Sequence, residues 1–303
     1  MTAPAAHPPT AIRSGAAIKR SAELTTYLRA VAAREPDPGL RCPDQLAARM
    51  IGPEWQRMLR LPLWIVRSRL EHNLPGSYFH VLARTRHIDR LLTEALWAGI
   101  EQLVILGAGF DSRAVRFQDQ LSSVRVFEVD SPGNQVVKKE RLRAALGSLP
   151  GHIIFMPVDF NHQPLSEALI SGGYQTSLKT FFIWEGVSYY LLPAAVDAVL
   201  KFAAVGCGVG SSIVFDYALE SFVRGDYHSR RAARMGAVYA ASSEPFVSGV
   251  PDGKSGAFLE ERGLRLISDL GPAELEQQYL RRKNGSLSGR PSDFLRIALA
   301  CNG

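Results

Sequence analysis

The chain has 303 residues, 46% of them hydrophobic, and a formal net charge of +6, so it can bury a sizeable core within one elaborated α/β domain. Its 35 basic residues are interspersed with 29 acidic ones, and a basic balance without a stripe or run argues against nucleic acid as a partner. Cys42, Cys207 and Cys301 are odd in number and far apart, which supports neither a disulfide framework nor a metal site. No apolar run approaches the roughly 18 residues that span a bilayer, and Met1 to Pro9 lacks a signal-peptide core. The expectation is a soluble, cytoplasmic protein with no membrane partner and no metal.

In chain order, residues 1–16 read as a disordered leader. Ala17 to Arg34 then has a helical pattern of Ile18, Ala22, Leu24, Leu28 and Val31, ended by Pro36-Asp37-Pro38-Gly39. Short helices follow at Pro43 to Met50, Glu54 to Leu59 and Leu63 to Glu71, and a longer one from Tyr78 to Ala98. Residues 17–99 thus form a helical cap that precedes any strand. From residue 100 to 303 strands and helices alternate. Strands are predicted at Gln102 to Leu106, Val124 to Asp130, His152 to Asp159, Thr180 to Trp184, Ser211 to Asp216, Leu264 to Asp269 and Phe294 to Ala300. Helices fall near Pro132 to Leu146, Leu165 to Ser171 and Pro193 to Val205. The alternation implies parallel pairing, and residues 217–262, which break it, read as a lid or acceptor-binding insertion.

The first strand delivers Gly107-Ala108-Gly109, a turn that lets a ligand approach the backbone, and the second ends in Glu128 and Asp130 about 20 residues on, a spacing that suits a ribose. Dinucleotide enzymes usually carry a third glycine where Ser112 stands, and Asp111 would repel a pyrophosphate. A cationic or zwitterionic cofactor such as S-adenosylmethionine is better tolerated. Ligands of open α/β sheets bind beyond the carboxyl ends of the strands. Gly107 to Arg113, Glu128 to Asp130, Asp159-Phe160 and Glu185-Gly186 should therefore converge on one crevice.

The blocks Arg84-Thr85-Arg86-His87-Ile88-Asp89, Leu106 to Arg113, Phe127-Glu128-Val129-Asp130-Ser131-Pro132 and Trp184-Glu185-Gly186-Val187-Ser188-Tyr189-Tyr190-Leu191, in that order, resemble the leucine carboxyl methyltransferase family. More narrowly they resemble its bacterial branch of actinobacterial type, which covers many small-molecule O-methyltransferases. The likeness runs from about Ile18 to the C-terminus. It implies a class I methyltransferase fold: a seven-stranded, mostly parallel, doubly wound Rossmann-like sheet whose last strand is antiparallel. It implies S-adenosylmethionine as cofactor, leaving as S-adenosylhomocysteine. Arg84 would pair with the methionyl carboxylate, Gly107 would lie under the amino-acid part with Ala108, Gly109 and Asp111 in the same turn, and Asp130 would hold the ribose. Asp159 and Phe160 would flank the adenine, and Glu185 would face the methionyl ammonium.

Each assignment has a plainer counterpart. Arg84 could pair with Asp89 on its own helix, Glu128 is either a ribose ligand or a support behind it, Arg113 could merely brace the turn, and Lys19 matches a family lysine only loosely. The acceptor is a small molecule methylated on a carboxyl or hydroxyl oxygen, as in secondary metabolism, with Tyr189, Tyr190, Tyr217 and His228 as pocket candidates. A carboxylate needs no base, whereas a hydroxyl profits from one. Two other functions fit the glycine turn, an NAD(P)-dependent oxidoreductase and a non-catalytic S-adenosylmethionine-binding protein. Nothing in the sequence sets an oligomeric state.

Overall fold

The computed structural model describes residues 15–160 and 163–303, with side chains from Ser21 onward. The predicted leader thus lies outside the described residues except for Gly15 and Ala16, which begin helix α1 (Gly15–Ala32). Lys19 is among the residues whose side chains are not described. Helices α2 (Pro53–Leu59), α3 (Leu63–Asn73) and α4 (Ser77–Trp97) follow before the first strand. The helix expected at Pro43 to Met50 is only a 3-10 turn at Ala47–Arg49. There the Asp44 carboxylate accepts from the Ala47 amide at 3.0 Å and from Arg29 Nε at 2.8 Å. A side chain that bonds nearby backbone in this way competes with a full helical turn.

Seven strands form one sheet: β1 (Gln102–Leu106), β2 (Arg125–Asp130), β3 (Ile153–Pro157), β4 (Thr180–Trp184), β5 (Ser212–Ala218), β6 (Arg265–Leu270) and β7 (Leu295–Cys301). Their order is β3-β2-β1-β4-β5-β7-β6. The first five pair in parallel and β7 runs antiparallel to both β5 and β6. Between them lie α5 (Arg113–Arg116), α6 (Pro132–Leu146), α7 (Leu165–Ser171), α8 (Pro193–Val205), α9 (Glu220–Arg224), α10 (Arg230–Ala240), α11 (Ser255–Glu260) and α12 (Pro272–Tyr279). Residues 217–262, set apart in the sequence, hold α9, α10 and α11.

Strand residues alternate between faces, and the core divides accordingly. Leu103, Ile105, Val126, Ile183 and Val214 pack with residues of α1, α4 and α12. Val104, Leu106, Phe127, Trp184 and Phe215 pack with α7, α8 and α11 on the other side. The order reverses between β1 and β4, where chain crossing leaves a crevice at the strands' carboxyl ends. No helix among the described residues is long and apolar enough to cross a membrane.

Two buried histidines of α4 give the fold a pH dependence. Burial and the neighbouring Arg84 charge push His80 down to about 3, and burial with Arg90 pushes His87 down to about 4. Unfolded histidine takes up its proton near 6.5. The native state therefore keeps this stability above that value and loses it as pH falls from 6.5 toward 4. Urea midpoints should be level between pH 7 and 8 and drop below 6.5. The drop should be shallower in His80→Leu, and an equal slope in that variant would refute the assignment.

Candidate functional site

Helix α4 lies against the sheet face to which Val214 points, and alternation turns Asp216 of β5 to that same face. Arg84, 3% exposed, reaches the strand ends there. Its Nε donates to Glu185 Oε1 at 2.8 Å and its Nη1 donates to Asp216 Oδ2. Asp89 does not compete for it. Five residues on, it lies about 140° around the helix, and it binds Arg113 Nε at 2.7 Å and Arg116 Nη1 at 2.7 Å instead. Arg113 is 2% exposed. Its Nη1 donates to Asp111 Oδ2 at 2.5 Å and to Glu185 Oε2 at 2.6 Å, so it links the glycine turn to the end of β4.

Adding Arg29 and Asp44, joined to the network through Arg116, five carboxylates face four guanidiniums. The cluster carries one negative charge in excess. Burial alone would raise the Glu185 carboxyl, but the Arg113 and Arg84 guanidiniums hold it well below the usual range. Asp216 goes the other way, because its burial outweighs Arg84 and the Gly186 amide that donates to it at 2.6 Å.

The turn after β1 needs its glycines. Gly107 has φ +63°, and a Cβ there would stand 2.3 Å from Val187 Cγ2. Gly109 has φ +42° and donates its amide to Asp130 Oδ2 at 2.5 Å. Asp130 Oδ1 accepts from the Ser131 amide at 2.6 Å and from Asn134 Nδ2 at 2.9 Å, which fixes the carboxylate against the turn. Gly107→Ala should cost about 2–4 kcal/mol in thermal or urea unfolding, from the left-handed backbone and the overpacking together. Adding Val187→Ala should recover only the packing part. Full recovery would show that the backbone term is absent.

The predicted residues are not all brought to this place. Gly107, Ala108, Gly109, Asp111, Asp130, Arg84 and Glu185 surround the crevice. Glu128 shares the face of Asp130 but sits two residues, or roughly 7 Å, deeper along β2. It is 2.7 Å from Lys138 Nζ of α6 and 1% exposed, and burial pushes it up to about 7 despite the lysine. That is a place behind Asp130, on the α6 side of the sheet. Asp159 and Phe160 are half-buried just past β3. The next two residues, Asn161 and His162, lie outside the described set.

Among the acceptor candidates, Tyr189 is buried with its hydroxyl 3.4 Å from Asp216 Oδ2, and its ring packs on Tyr190 and Phe246. Tyr217 follows Asp216 on the strand and therefore points to the opposite face. Its hydroxyl donates to Asp269 of β6 at 2.8 Å, which turns it away from the Arg84–Asp216 pair. His228 is an exposed side chain 3.2 Å from Asp252, with no bond to the Arg84 cluster. The sequence reading missed Asp216, although it is the acid that follows the apolar run of the next strand, two residues before β5 ends, and it gave Arg113 only a bracing role.

A family model described as leucine carboxyl methyltransferase matches residues 22–204, which include Arg84, the glycine turn, Asp130 and Glu185. The chain belongs to the leucine carboxyl methyltransferase family. YktD of Bacillus subtilis, named provisionally as an S-adenosyl-L-methionine-dependent methyltransferase, is 35% identical over 207 residues, covering 68% of each chain. A Mycolicibacterium smegmatis protein with the same provisional name is 30% identical over 195 residues, 62% of this chain and 60% of that one.

Solved structures show the same fold. A DUF574 family protein from Streptomyces avermitilis aligns with a TM-score of 0.58 at 14% identity, over 93% of this chain and 97% of that one. A Thermobifida fusca protein provisionally named a methyltransferase aligns at 0.54 and 13%, with the same coverage. As a leucine carboxyl methyltransferase family member, the chain is an S-adenosylmethionine-dependent methyltransferase of class I fold. The nicotinamide-dependent oxidoreductase reading is thereby corrected. Its glycine turn and strand-end acid are common to both kinds of enzyme, and Ser112 with Asp111 already disfavoured a pyrophosphate.

Proposed function

We propose that this enzyme methylates an oxygen of a small-molecule acceptor, a carboxylate in the first instance, and that the ion-paired crevice holds the cofactor. The cofactor supplies an electrophilic methyl group. An acceptor oxygen placed in line with it would take that methyl, and the electrons of the S–CH3 bond would stay on sulfur as a thioether.

The chain's own residues fit this donor. Arg84 and Glu185 pair with each other at 2.8 Å, and a bound amino-acid moiety would exchange that pair for two of its own, carboxylate to guanidinium and ammonium to carboxylate. Gly107, Ala108 and Gly109 give the close approach, Asp111 is held back in the turn by Arg113, and Asp130, which already accepts three hydrogen bonds, keeps an acceptor site on Oδ2 for a ribose hydroxyl. Asp159 and Phe160, just past β3, would flank the adenine. The single excess negative charge of the cluster matches the net positive charge that the sulfonium gives the cofactor.

The observation that carries the acceptor reading is the aromatic wall beside the Arg84–Asp216 pair. Tyr189, Tyr190, Tyr239 and Phe246 lie ring to ring, with Tyr239 and Tyr189 each 4.2 Å from Phe246 between centroids. Such a wall suits a flat or apolar acceptor body and excludes water from the displacement. Burial, with Asp216 beside it, keeps the Tyr189 hydroxyl well above its ordinary pKa. It therefore stays protonated, its one proton directed at Asp216 Oδ2 at 3.4 Å and free to turn to an acceptor oxygen only by leaving that partner, and it is no base at neutral pH. A carboxylate acceptor asks for nothing more. The test is transfer from methyl-labelled S-adenosylmethionine to a panel of aromatic acids and phenols. Base-labile label, released as methanol, marks an ester and supports the reading. Label that appears only on nitrogen, sulfur or protein would overturn it.

A further inference from the structure

Across α4 from the crevice lies an open groove of about 790 Å³ lined by Arg41, Arg49, Arg86, Arg90 and Arg116, with Asp89 as its only acid. Arg86 is two residues from Arg84, or about 200° around the helix, so the groove and the crevice occupy opposite sides of α4. Its cations are unevenly balanced. Arg116 is matched by Asp89 and Arg90 by Glu94. Arg41 donates only to the Glu35 and Pro36 carbonyls, at 2.8 and 3.2 Å.

Among the described residues no carboxylate lies within 4 Å of Arg41, Arg49 or Arg86. Arg86 is half-buried, and its Nη1 is shielded from solvent with no hydrogen-bond partner. Asp37 is near enough to favour the Arg86 charge but makes no ion pair with it, and a partly desolvated guanidinium whose donors stay empty is costly. Beside these cations the groove presents apolar surface from Leu46, Val115, Phe117 and Leu146.

We propose that this groove binds a small organic phosphomonoester, its phosphate held by Arg86 and Arg49 and its apolar body lying on Phe117 and Leu146. Guanidinium forks match phosphate oxygens two at a time and remain charged at every relevant pH, and a dianion would supply what three unmatched cations lack. Asp89 and Arg116 line the groove and also belong to the ion-paired cluster, but the proposed phosphate contacts, Arg86 and Arg49, lie outside it, so S-adenosylhomocysteine should not displace the ligand.

The experiment is calorimetric titration of the full chain with phenyl phosphate, at constant ionic strength, with inorganic phosphate and benzoate for comparison. Phenyl phosphate should bind saturably, more tightly than either comparison anion, with affinity unchanged by saturating S-adenosylhomocysteine. Arg86→Gln and Arg49→Gln should each weaken it by about tenfold, the worth of one charge-assisted contact. Arg49 is an exposed side chain, so its substitution leaves the fold intact and keeps the test valid should Arg86→Gln unfold. The proposal is overturned if no saturable binding occurs, if S-adenosylhomocysteine displaces the probe, if binding survives in Arg49→Gln undiminished, or if benzoate binds as well. A short oligothymidylate that binds more tightly through the same arginines would also overturn it, in favour of nucleic acid.

Discussion

Replacing Arg113 with methionine should destabilise the protein by about 3–5 kcal/mol, the usual consequence of leaving buried charges without their partner. Arg113 has the fully buried guanidinium that touches three carboxylates, Asp89, Asp111 and Glu185. In its absence Asp89 keeps Arg116 and Glu185 keeps Arg84, but Asp111 is left with only a backbone amide, that of residue 113, at 2.7 Å. Urea unfolding at pH 7 measures the loss. A decrease under 1 kcal/mol would mean that the pairs merely offset their own desolvation. The pH dependence carries a sign. Glu185 is held low in the native state by Arg113 and Arg84, so its contribution is present above the unfolded carboxylate value near 4.3 and is lost as pH falls. The deficit of the variant should therefore shrink in acid.

The second large effect concerns the cofactor. If the proposed cofactor placement holds, Arg84→Met and Glu185→Gln should each weaken S-adenosylhomocysteine binding about 100-fold, or roughly 2.7 kcal/mol, because each would remove a charge-assisted contact from a buried site. Since the two side chains bond each other when no amino acid lies between them, their stability costs should not add. The double variant should be more stable than the sum of the singles by about 1–3 kcal/mol. Calorimetry with the cofactor product and a double-mutant cycle in urea check the two halves separately. Additive stabilities with lost binding would leave the contacts to the ligand but remove the exchange of partners. Unaltered binding would remove Arg84 from the site.

Much of this architecture was legible in the chain. Each predicted strand agrees with an observed one to within two residues at either end, and the central parallel strands β1, β2, β4 and β5, buried along nearly their whole length, are written as short, uninterrupted apolar runs bounded by polar turns. What failed was short or shared. Helices α9 and α11, five and six residues long, complete too few turns for a period of 3.6 to register. Helix α12 was signalled by Pro272 at its first turn and by Glu274, which accepts from the Gly271 amide at 2.8 Å, but that cue went unread.

At the site, the glycine turn and the strand-end acids announced themselves by position. Which acid would face which arginine did not, because that depends on the rotation of α4 over the sheet. Tyr217 shows the limit most simply. Its neighbour Asp216 is central to the crevice, and one step along a strand reverses the face.

Asp269 of β6 gives the far edge of the sheet a mechanical character of its own. Strand β6 is bonded to the sheet only through β7, and a register shift between Leu266 and Ser268 interrupts even that ladder. Asp269 accepts from Tyr217 of β5 at 2.8 Å, from Ser255 of α11 at 2.7 Å and from Arg296 of β7 at 3.0 Å. One carboxylate thus rivets three elements to an edge that would otherwise fray by itself. Amide exchange should follow that hierarchy: β6 should open through local fluctuations, while β7, paired on both sides, should exchange only when the whole sheet comes apart.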